Sequence, residues 1–577
     1  MSALKNFIRS ANANRPLLYF NTVLLFVLLN MLAYKSSCRL DLTRDGTNSL
    51  SESTVKVLSQ VDEPILIEAY ITQNIPGELL SMLGPVLSQL SEIERVGGKK
   101  VKLRIINPES EEDRKMAEER GIQGLNISEA KDVEASVRLG YFGIYLQIGE
   151  KTAVLNLVDD GRIIEDLEYR FLREIKKMTK KREKSGIGFV RAPGTLDLNQ
   201  WRSAQDQSKD NLFGFHTLLQ REEGETPEVN LADSVPADVD TLVIAGLPRL
   251  EEKEIYHLDQ FIMRGRNIVL MLKSFDFQSE AANPQMAQMG LGGNGGGFAQ
   301  VMTDDVKKLN DWLGKYGILL NGEILFEPEL GIDAYDVEGR YARKVRNPAW
   351  AFFSRQTGNI ESEAPVIRNT SQVVVPWFSG LDIREAAQGT DVKYTTLVQT
   401  TEGAVKRTSS SLGLKEIQDV GRSPTDERVP RPVPVAVLAN GKFHSAFTLN
   451  TIPKNEDRAK FREIQPGDTK SNLLVIGSPY LVSDMLLKNE FNMQIYRVNY
   501  SFLVNALEAI GGDTDLLAAR SRIRSIERLS QTSKLGETIF TWFHILALPL
   551  LLGIYGTVRL ARRNQRRGLE SSTGEKS

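Results

Sequence analysis

The stretch DVDTLVIAGLPRLEEKEIYHLDQFIMRGRNIVLML, residues 238–272, decides the fold of the largest part of this chain. It contains two short apolar runs, TLVIAG and NIVLML, joined by a segment with apolar residues at helical spacing. Such runs are typical of central strands of a parallel sheet that helices cover on both faces. Three further runs have the same character: GIGFV (186–190), PVAVLAN (434–440) and NLLVIGSP (472–479). We therefore predict an α/β fold with a doubly wound parallel sheet.

This sheet-forming domain is predicted to span residues 182–512, with two insertions that interrupt its pattern. Residues 278–300 contain the run GLGGNGGG, which is too rich in glycine to pack and is typical of a flexible linker. Residues 359–428 show no clear apolar period. We interpret both segments as flexible insertions within one domain.

A second α/β domain is predicted upstream, within residues 35–181. ILIEAYI (65–71) alternates as a strand does, and VKLRII (101–106) is a second strand that follows a helical segment. A hairpin over residues 140–158 comes next, and a further helix closes the domain. This order predicts a thioredoxin-like fold that lacks the CxxC pair of a redox enzyme.

Two long segments without charged residues flank these domains. PLLYFNTVLLFVLLNMLAY (16–34) and TIFTWFHILALPLLLGIYGTV (538–558) each have the length of a helix that crosses ~30 Å of hydrocarbon. Basic residues concentrate in the tails 1–15 and 559–577, so both termini are predicted to be cytoplasmic. Residues 513–537 are then a juxtamembrane helix. A cleaved signal peptide is the less favoured alternative for the first segment.

The polar stretch DLTRDGTNSLSEST, residues 41–54, follows shortly after the first apolar segment. Ser49 and Glu52 have the spacing of a capping box, which predicts a helix from about Leu50 to Val61. We interpret the stretch as an ordered joint that passes motion between the membrane and the domains. Its candidate residues are Asp41, Thr43, Ser49, Glu52 and Thr54.

The sequence lacks the common motifs of catalysis and cofactor binding. It contains neither a GxxxxGK[ST] phosphate loop nor a GxSxG nucleophile elbow. There is one cysteine, and none of the 4 histidines has a second histidine at metal-ligand spacing. The 72 basic and 74 acidic residues leave a net charge of −2, unlike the basic domains that bind nucleic acid. We predict no catalytic, cofactor or metal site, and no nucleic-acid partner.

One cluster of basic and aromatic residues, within RYARKVRNPAWAFF, is a candidate interaction patch. Groups of these two kinds together can hold an anionic lipid head group, a glycan or a protein partner. The competing interpretation is an ordinary strand edge with a solvated face. The candidate residues are Arg340, Arg343, Lys344, Arg346, Trp350, Phe352 and Phe353.

Three segments resemble the GldG-type auxiliary components of ABC transporters, a family named from bacterial gliding motility. The first contains DLT and SLSEST, in the polar stretch 41–54. The second is residues 238–272, where DQFIMRG fits the family's usual DQFxMRGG and Arg266 replaces the second glycine. The third is NYSFLVNALEAIGGDTDLLAARSR (499–522), directly before the final membrane zone. The matches cover nearly the whole chain in the expected order.

The resemblance implies a fold, partners and a location. It implies a middle domain similar to that of an intraflagellar-transport subunit and to class I glutamine-amidotransferase-like folds, although the nucleophilic cysteine of such amidotransferases is missing here. It also implies an ABC permease and a cytoplasmic ABC ATPase supplied by other chains, in contact with membrane lipid. We therefore expect a non-enzymatic, two-pass auxiliary subunit of the bacterial inner membrane, with a large periplasmic domain. A stand-alone envelope receptor or ligand-binding protein is the alternative.

Overall fold

The computed structural model describes residues 21, 23–28, 31, 49–73, 77–131, 134–159, 162–164, 166–179, 186–202, 210–233, 235–279, 297–338, 341–361, 364–367, 370–384, 391–412, 417–424, 426–454, 456–467, 469–487, 490–512 and 555–560. The chain divides into two compact units, Met1–Arg522 and Ile523–Ser577. Within the described ranges, no helix is both long enough and apolar enough to span a membrane. The predicted spans 16–34 and 538–558 lie mainly outside those ranges.

The N-terminal part of the first unit alternates strands and helices. Its helices are α1 (Glu52–Gln60), α2 (Gly77–Gly97), α3 (Glu111–Glu119) and α4 (Leu167–Thr179). Its strands are β1 (Ile65–Ile71), β2 (Val101–Ile106), β3 (Gly124–Lys131), β4 (Glu134–Ile148), β5 (Lys151–Asn156), β6 (Val158–Asp159) and β7 (Arg162–Ile163). Five of these strands form one sheet in the order β2-β1-β4-β3, and β5 also pairs with β4. Strand β1 is parallel to β2 and antiparallel to β4.

The predicted strands and the closing helix of this part are confirmed, but β3 was not predicted. It pairs with the first half of β4, which is much longer than the predicted hairpin arm. The sequence of β3, GLNISEAK, has few apolar residues and no clear alternation, so its strand is specified by pairing with β4. Helix α4 buries an apolar stripe that includes Phe171, Leu172 and Ile175.

The larger part of the unit contains the sheet that residues 238–272 predict. Its helices are α5 (Phe213–Glu223), α6 (Glu252–Met263), α7 (Thr303–Leu313) and α8 (Glu490–Ile510). Its strands are β8 (Ile187–Val190), β9 (Glu228–Val229), β10 (Thr241–Gly246), β11 (Asn267–Leu272), β12 (Phe275–Ser279), β13 (Gly297–Val301), β14 (Ile318–Leu320), β15 (Ile324–Phe326), β16 (Gly331–Glu338), β17 (Tyr341–Ser354), β18 (Gln372–Pro376), β19 (Leu381–Ile383), β20 (Val392–Gln399), β21 (Val405–Arg407), β22 (Ser409–Ser411), β23 (Glu427–Arg428), β24 (Pro434–Gly441) and β25 (Ser471–Ile476).

The main sheet has seven strands in the order β20-β24-β25-β11-β10-β8-β9. TLVIAG and NIVLML form β10 and β11, which pair in parallel from Thr241↔Asn267 to Gly246↔Leu272. Strands β9, β8, β10, β11 and β25 are all parallel and follow the doubly wound order 2-1-3-4-5.

The direction of PVAVLAN is a correction to the predicted all-parallel sheet. This run forms β24, which lies antiparallel to both β25 and β20. Five consecutive residues of β24 are buried, as in the parallel strands. An apolar run indicates that both faces of a strand are covered, but it does not indicate whether the strand runs parallel or antiparallel to its neighbours.

The two predicted flexible insertions also need correction. The ends of 278–300 belong to the antiparallel pair β12–β13, while residues 280–296 lie outside the described residues. Much of 359–428 is packed: Val373 and Phe378 are fully buried, and strands β18 to β23 all lie within it. Several of these strands are only two or three residues long, which is too short to show a period in the sequence.

Candidate functional site

The polar stretch after the first apolar segment ends in a buried hydrogen-bonded cap on α1. Ser51 is the N-cap, and its Oγ accepts from the backbone N–H of Thr54 at 3.1 Å. The carboxyl Oε1 of Glu168 accepts from the Ser51 backbone N–H at 2.7 Å and from the Thr54 hydroxyl at 2.6 Å. The exposed fractions of Ser51, Thr54 and Glu168 are 3%, 0% and 6%. The start of α1 is therefore tied to the first turn of α4.

This geometry corrects the predicted capping box. Ser49 lies outside the helix, and Glu52 is its exposed first residue rather than its third. Glu168 takes the role that the third-residue glutamate has in a capping box, since it accepts from the N-cap backbone N–H. Thr54 was a predicted member of the joint, whereas Ser51 and Glu168 were missed. Asp41 and Thr43 lie outside the described residues.

The residue next to Glu168 connects α4 to α8. The hydroxyl of Tyr169 donates to Oε1 of Glu508 on α8 at 2.5 Å, and both residues are buried. Neighbouring side chains on a helix point about 100° apart, so consecutive residues can contact different elements. Two consecutive residues of α4 thus bind α1 on one side and α8 on the other.

One turn further along α4, an ion pair reaches α5. Nη1 of Arg173 lies 3.2 Å from Oε2 of Glu222. Burial opposes the charge of Arg173, but Tyr169, Glu222 and Glu174 outweigh this effect and raise the pKa of the guanidinium above its usual value. The N-terminal part and the larger part of the first unit are therefore joined through one face of α4.

The structure divides the predicted basic–aromatic patch. Lys344 and Arg346 are exposed on β17, where the Lys344 Nζ lies 2.9 Å from Asp333 Oδ2 and Arg346 donates to a backbone carbonyl at 2.6 Å. Phe353 is fully buried, 5.9 Å from the Phe378 ring in an edge-to-face arrangement. Trp350 and Phe352 are half-buried against the core, Arg340 lies outside the described residues, and only the backbone of Arg343 is described. The described members do not form one exposed surface.

The usual ligand crevice of a doubly wound sheet lies beyond the carboxyl ends of the strands where the order reverses, here between β8 and β10. In this chain a loop after β8 fills that position. The Leu196 N–H donates to the Ala245 carbonyl at 2.8 Å, and the Leu247 N–H donates to the Gly194 carbonyl at 2.9 Å. Gly194 has φ of +87°, and a Cβ there would come within 2.0 Å of the Leu247 carbonyl oxygen. Backbone hydrogen bonds thus close the crevice.

A polar cavity of about 320 Å³ lies beside the closed crevice. It is lined by Arg191, directly after β8, and by residues of the two segments that lead to α5. Burial raises the pKa of Asp210, in its wall, to about 6, although Ser483 and Lys273 reduce the effect. Burial likewise raises the pKa of the nearby Asp484 to about 6, and this side chain accepts from the Gly214 N–H at 2.8 Å. This edge of the sheet was not predicted as a site, because its polar residues are spread over several loops.

Two histidines of the larger part contact backbone carbonyls. The imidazole of His216 contacts the Thr226 carbonyl at 3.1 Å, and that of His257 contacts the Leu231 carbonyl at 2.6 Å. In the part of the chain that the structure describes, no three histidine, cysteine or acidic side chains are grouped as metal ligands would be.

Comparison with known proteins gives one long match and one shorter one. A family model described as ABC-type uncharacterized transport system matches residues 184–506, and a domain of unknown function, DUF7088, matches residues 44–147. No curated protein matches the chain. Among solved structures, the mmIFT52 N-terminal domain aligns at 15% identity and a TM-score of 0.27, over 55% of this chain and 96% of that one. Because the first match spans more than half of the sequence, the chain belongs to the family of ABC-type uncharacterized transport system auxiliary proteins.

Proposed function

We propose that this protein is a non-enzymatic accessory subunit of an ABC-type transport complex, of the GldG type. Family membership supports the accessory role. The apolar segments 16–34 and 538–558 and their basic flanks support two membrane anchors, with the large domain in the periplasm of a bacterial inner membrane. An ABC permease and a cytoplasmic ABC ATPase are the proposed partners.

The proposed fold assignments follow from strand order. The pairing of β2 with β1, of β1 with β4 and of β4 with β5, followed by α4, supports a thioredoxin-like N-terminal domain. The order 2-1-3-4-5 of the parallel strands supports a class I glutamine-amidotransferase-like second domain, extended by β24 and β20. The closed crevice at β8 and β10 supports a role for this sheet other than cofactor chemistry.

The mechanism that we propose is mechanical, and one observation carries it. Helix α1 follows the first proposed anchor, α8 precedes the second, and both bind consecutive residues of α4. A movement of either anchor would therefore reach the same helix. Since α4 also pairs with α5 through Arg173, the movement would pass to both domains.

Affinity purification of the full chain from membranes, followed by mass spectrometry and an ATPase assay, tests this proposal. We expect a permease and an ATPase to be recovered, with vanadate-sensitive ATP turnover. Recovery of this chain alone from several mild detergents would contradict the proposal and favour the envelope receptor.

A substitution in the joint tests the coupling step separately. Thr54→Val keeps the shape of the side chain but removes its hydroxyl, so it should reduce ATP turnover of the complex without releasing the partners. Ser53→Ala, at the adjacent position of α1, is the matched control. Equal turnover in both variants would refute coupling through the bond between Thr54 and Glu168.

A further inference from the structure

The polar cavity beside β8 has firmly held walls. Oδ1 of Asp197 accepts from both the backbone N–H of Asn199, at 3.0 Å, and its Nδ2, at 2.8 Å. Nδ2 of Asn211 donates to the Asn199 carbonyl at 2.9 Å, and the Leu212 N–H donates to the Asp197 carbonyl at 2.8 Å. The two segments that line the cavity are thus fixed to each other, so that the cavity is preformed.

One buried oxygen in these walls has no hydrogen-bond donor among the described residues. It is Oδ1 of Asn211, a residue only 2% exposed. A buried acceptor that gives up water without gaining a donor costs about 1–3 kcal/mol. Hydroxyl groups of a ligand, or water molecules held by it, would supply donors at this position.

The charged side chains that line the cavity already interact with other groups of the protein. Nη1 of Arg191 lies 2.9 Å from Glu228 Oε2, and Arg202 has an interaction partner as well. Although burial opposes its charge, hydrogen bonds from Asn199 lower the pKa of Asp197. Two arginines and two aspartates also balance in charge. The cavity therefore does not favour an anion, a cation or a zwitterion over a neutral ligand.

What remains is a large capacity for hydrogen bonds beside one aromatic ring. Seven of the eight lining residues are polar, including the amides of Asn199 and Gln200, and the eighth is the half-buried Trp201. Planar amide, carboxylate and guanidinium groups can each bind two adjacent hydroxyls. An indole can cover the apolar C–H face of a sugar ring. We propose that this cavity binds a neutral, polyhydroxylated ligand of the saccharide class.

Titration of the full chain in lipid nanodiscs tests the proposal. The probes are chitotetraose, maltotetraose, cellotetraose and mannotetraose. Their binding is measured by calorimetry and by tryptophan fluorescence. At least one of them should bind with a dissociation constant of about 1 mM or lower, which corresponds to about −4 kcal/mol. Glutamate and arginine serve as charged probes and should bind more weakly than the best saccharide.

Two substitutions locate the binding. Trp201→Ala removes the ring, and Gln200→Ala removes one exposed amide with little effect on folding; each should weaken binding about tenfold. Arg458→Ala, at an exposed position outside the cavity lining, is the control and should bind as the wild type does. The proposal is overturned if no saccharide binds at about 10 mM, if a charged probe binds more tightly, or if both cavity variants bind normally.

Discussion

Replacing Glu168 with alanine should release α1 from α4. The substitution removes the acceptor of the Ser51 backbone N–H and of the Thr54 hydroxyl, which lie 2.7 and 2.6 Å from it. Both residues are almost completely buried, so water cannot replace the carboxyl. An unpaired buried donor costs about 1–3 kcal/mol. The Thr54 hydroxyl can still turn to the Ser51 Oγ, which is 2.8 Å away.

If the Ser51 N–H is counted fully and the Thr54 hydroxyl in part, the free energy that holds α1 on α4 falls by about 3 kcal/mol. Because each 1.4 kcal/mol is about a factor of ten, local opening of α1 should become about a hundredfold more frequent. Amide hydrogen exchange of the full chain in nanodiscs measures this directly. Peptides from α1 should exchange faster by that factor, while peptides from the central strand β10 should be unchanged.

Glu168→Gln is the matched control, since its amide keeps one oxygen that can accept both hydrogen bonds. Its α1 peptides should therefore exchange nearly as slowly as those of the wild type. Unchanged exchange of α1 in Glu168→Ala would show that the buried hydrogen bonds do not hold this helix. Faster exchange throughout the chain would show that the carboxyl supports the whole fold, and that the joint does not open independently of it.

Three further substitutions test other parts of the structure. Tyr169→Phe removes a hydrogen bond to the buried Glu508, so exchange in α8 should rise by about tenfold, a change of about 1–2 kcal/mol that the same measurement detects. Burial raises the pKa of Asp484 to about 6 in the folded protein. The folded protein therefore keeps its full stability below about pH 4, where Asp484 is protonated in both the folded and the unfolded chain, and loses stability as the pH rises through 6. Asp484→Asn should therefore be neutral at pH 4 and more stable at pH 8, by up to about 3 kcal/mol; melting curves at both pH values check this, with the exposed Asp233→Asn as control. Gly194→Ala places a methyl group 2.0 Å from a backbone carbonyl at φ of +87°, so its melting temperature should fall, and an unchanged value would mean that the loop after β8 does not close the crevice.

The central strands were predictable because a strand that is buried on both faces has a continuous run of apolar residues in the sequence. TLVIAG and NIVLML became β10 and β11 with the predicted bounds. Strand direction depends on the connection between strands. Residues 442–470 join β24 to β25 without an α-helix among their described residues, which lets the two strands pair antiparallel. Their apolar composition would be the same in either direction.

The joint was predictable as a helix after a polar turn, but its cap was not. A capping box was assigned from Ser49 and Glu52 because local spacing was the only available signal. The acceptor that decides the cap is Glu168, 117 residues away from Ser51 along the chain. Several helices of this chain begin with acidic residues, so nothing in the sequence distinguishes Glu168 as the acceptor for this cap.

The joint and the carboxyl edge of the main sheet differ in how their buried polar groups are satisfied. At the joint, the Ser51 N–H and the Thr54 hydroxyl both find partners at short distances, as expected where a buried contact stabilises the fold. At the sheet edge, Asp210 and Asp484 have raised pKa values, and Asn211 keeps an unpaired buried oxygen. Such groups lower stability, and they concentrate at sites that bind or react. The two places therefore call for different experiments: loss of Glu168 should loosen α1 and disturb coupling without affecting ligand binding, and changes in the polar cavity should disturb binding without loosening α1.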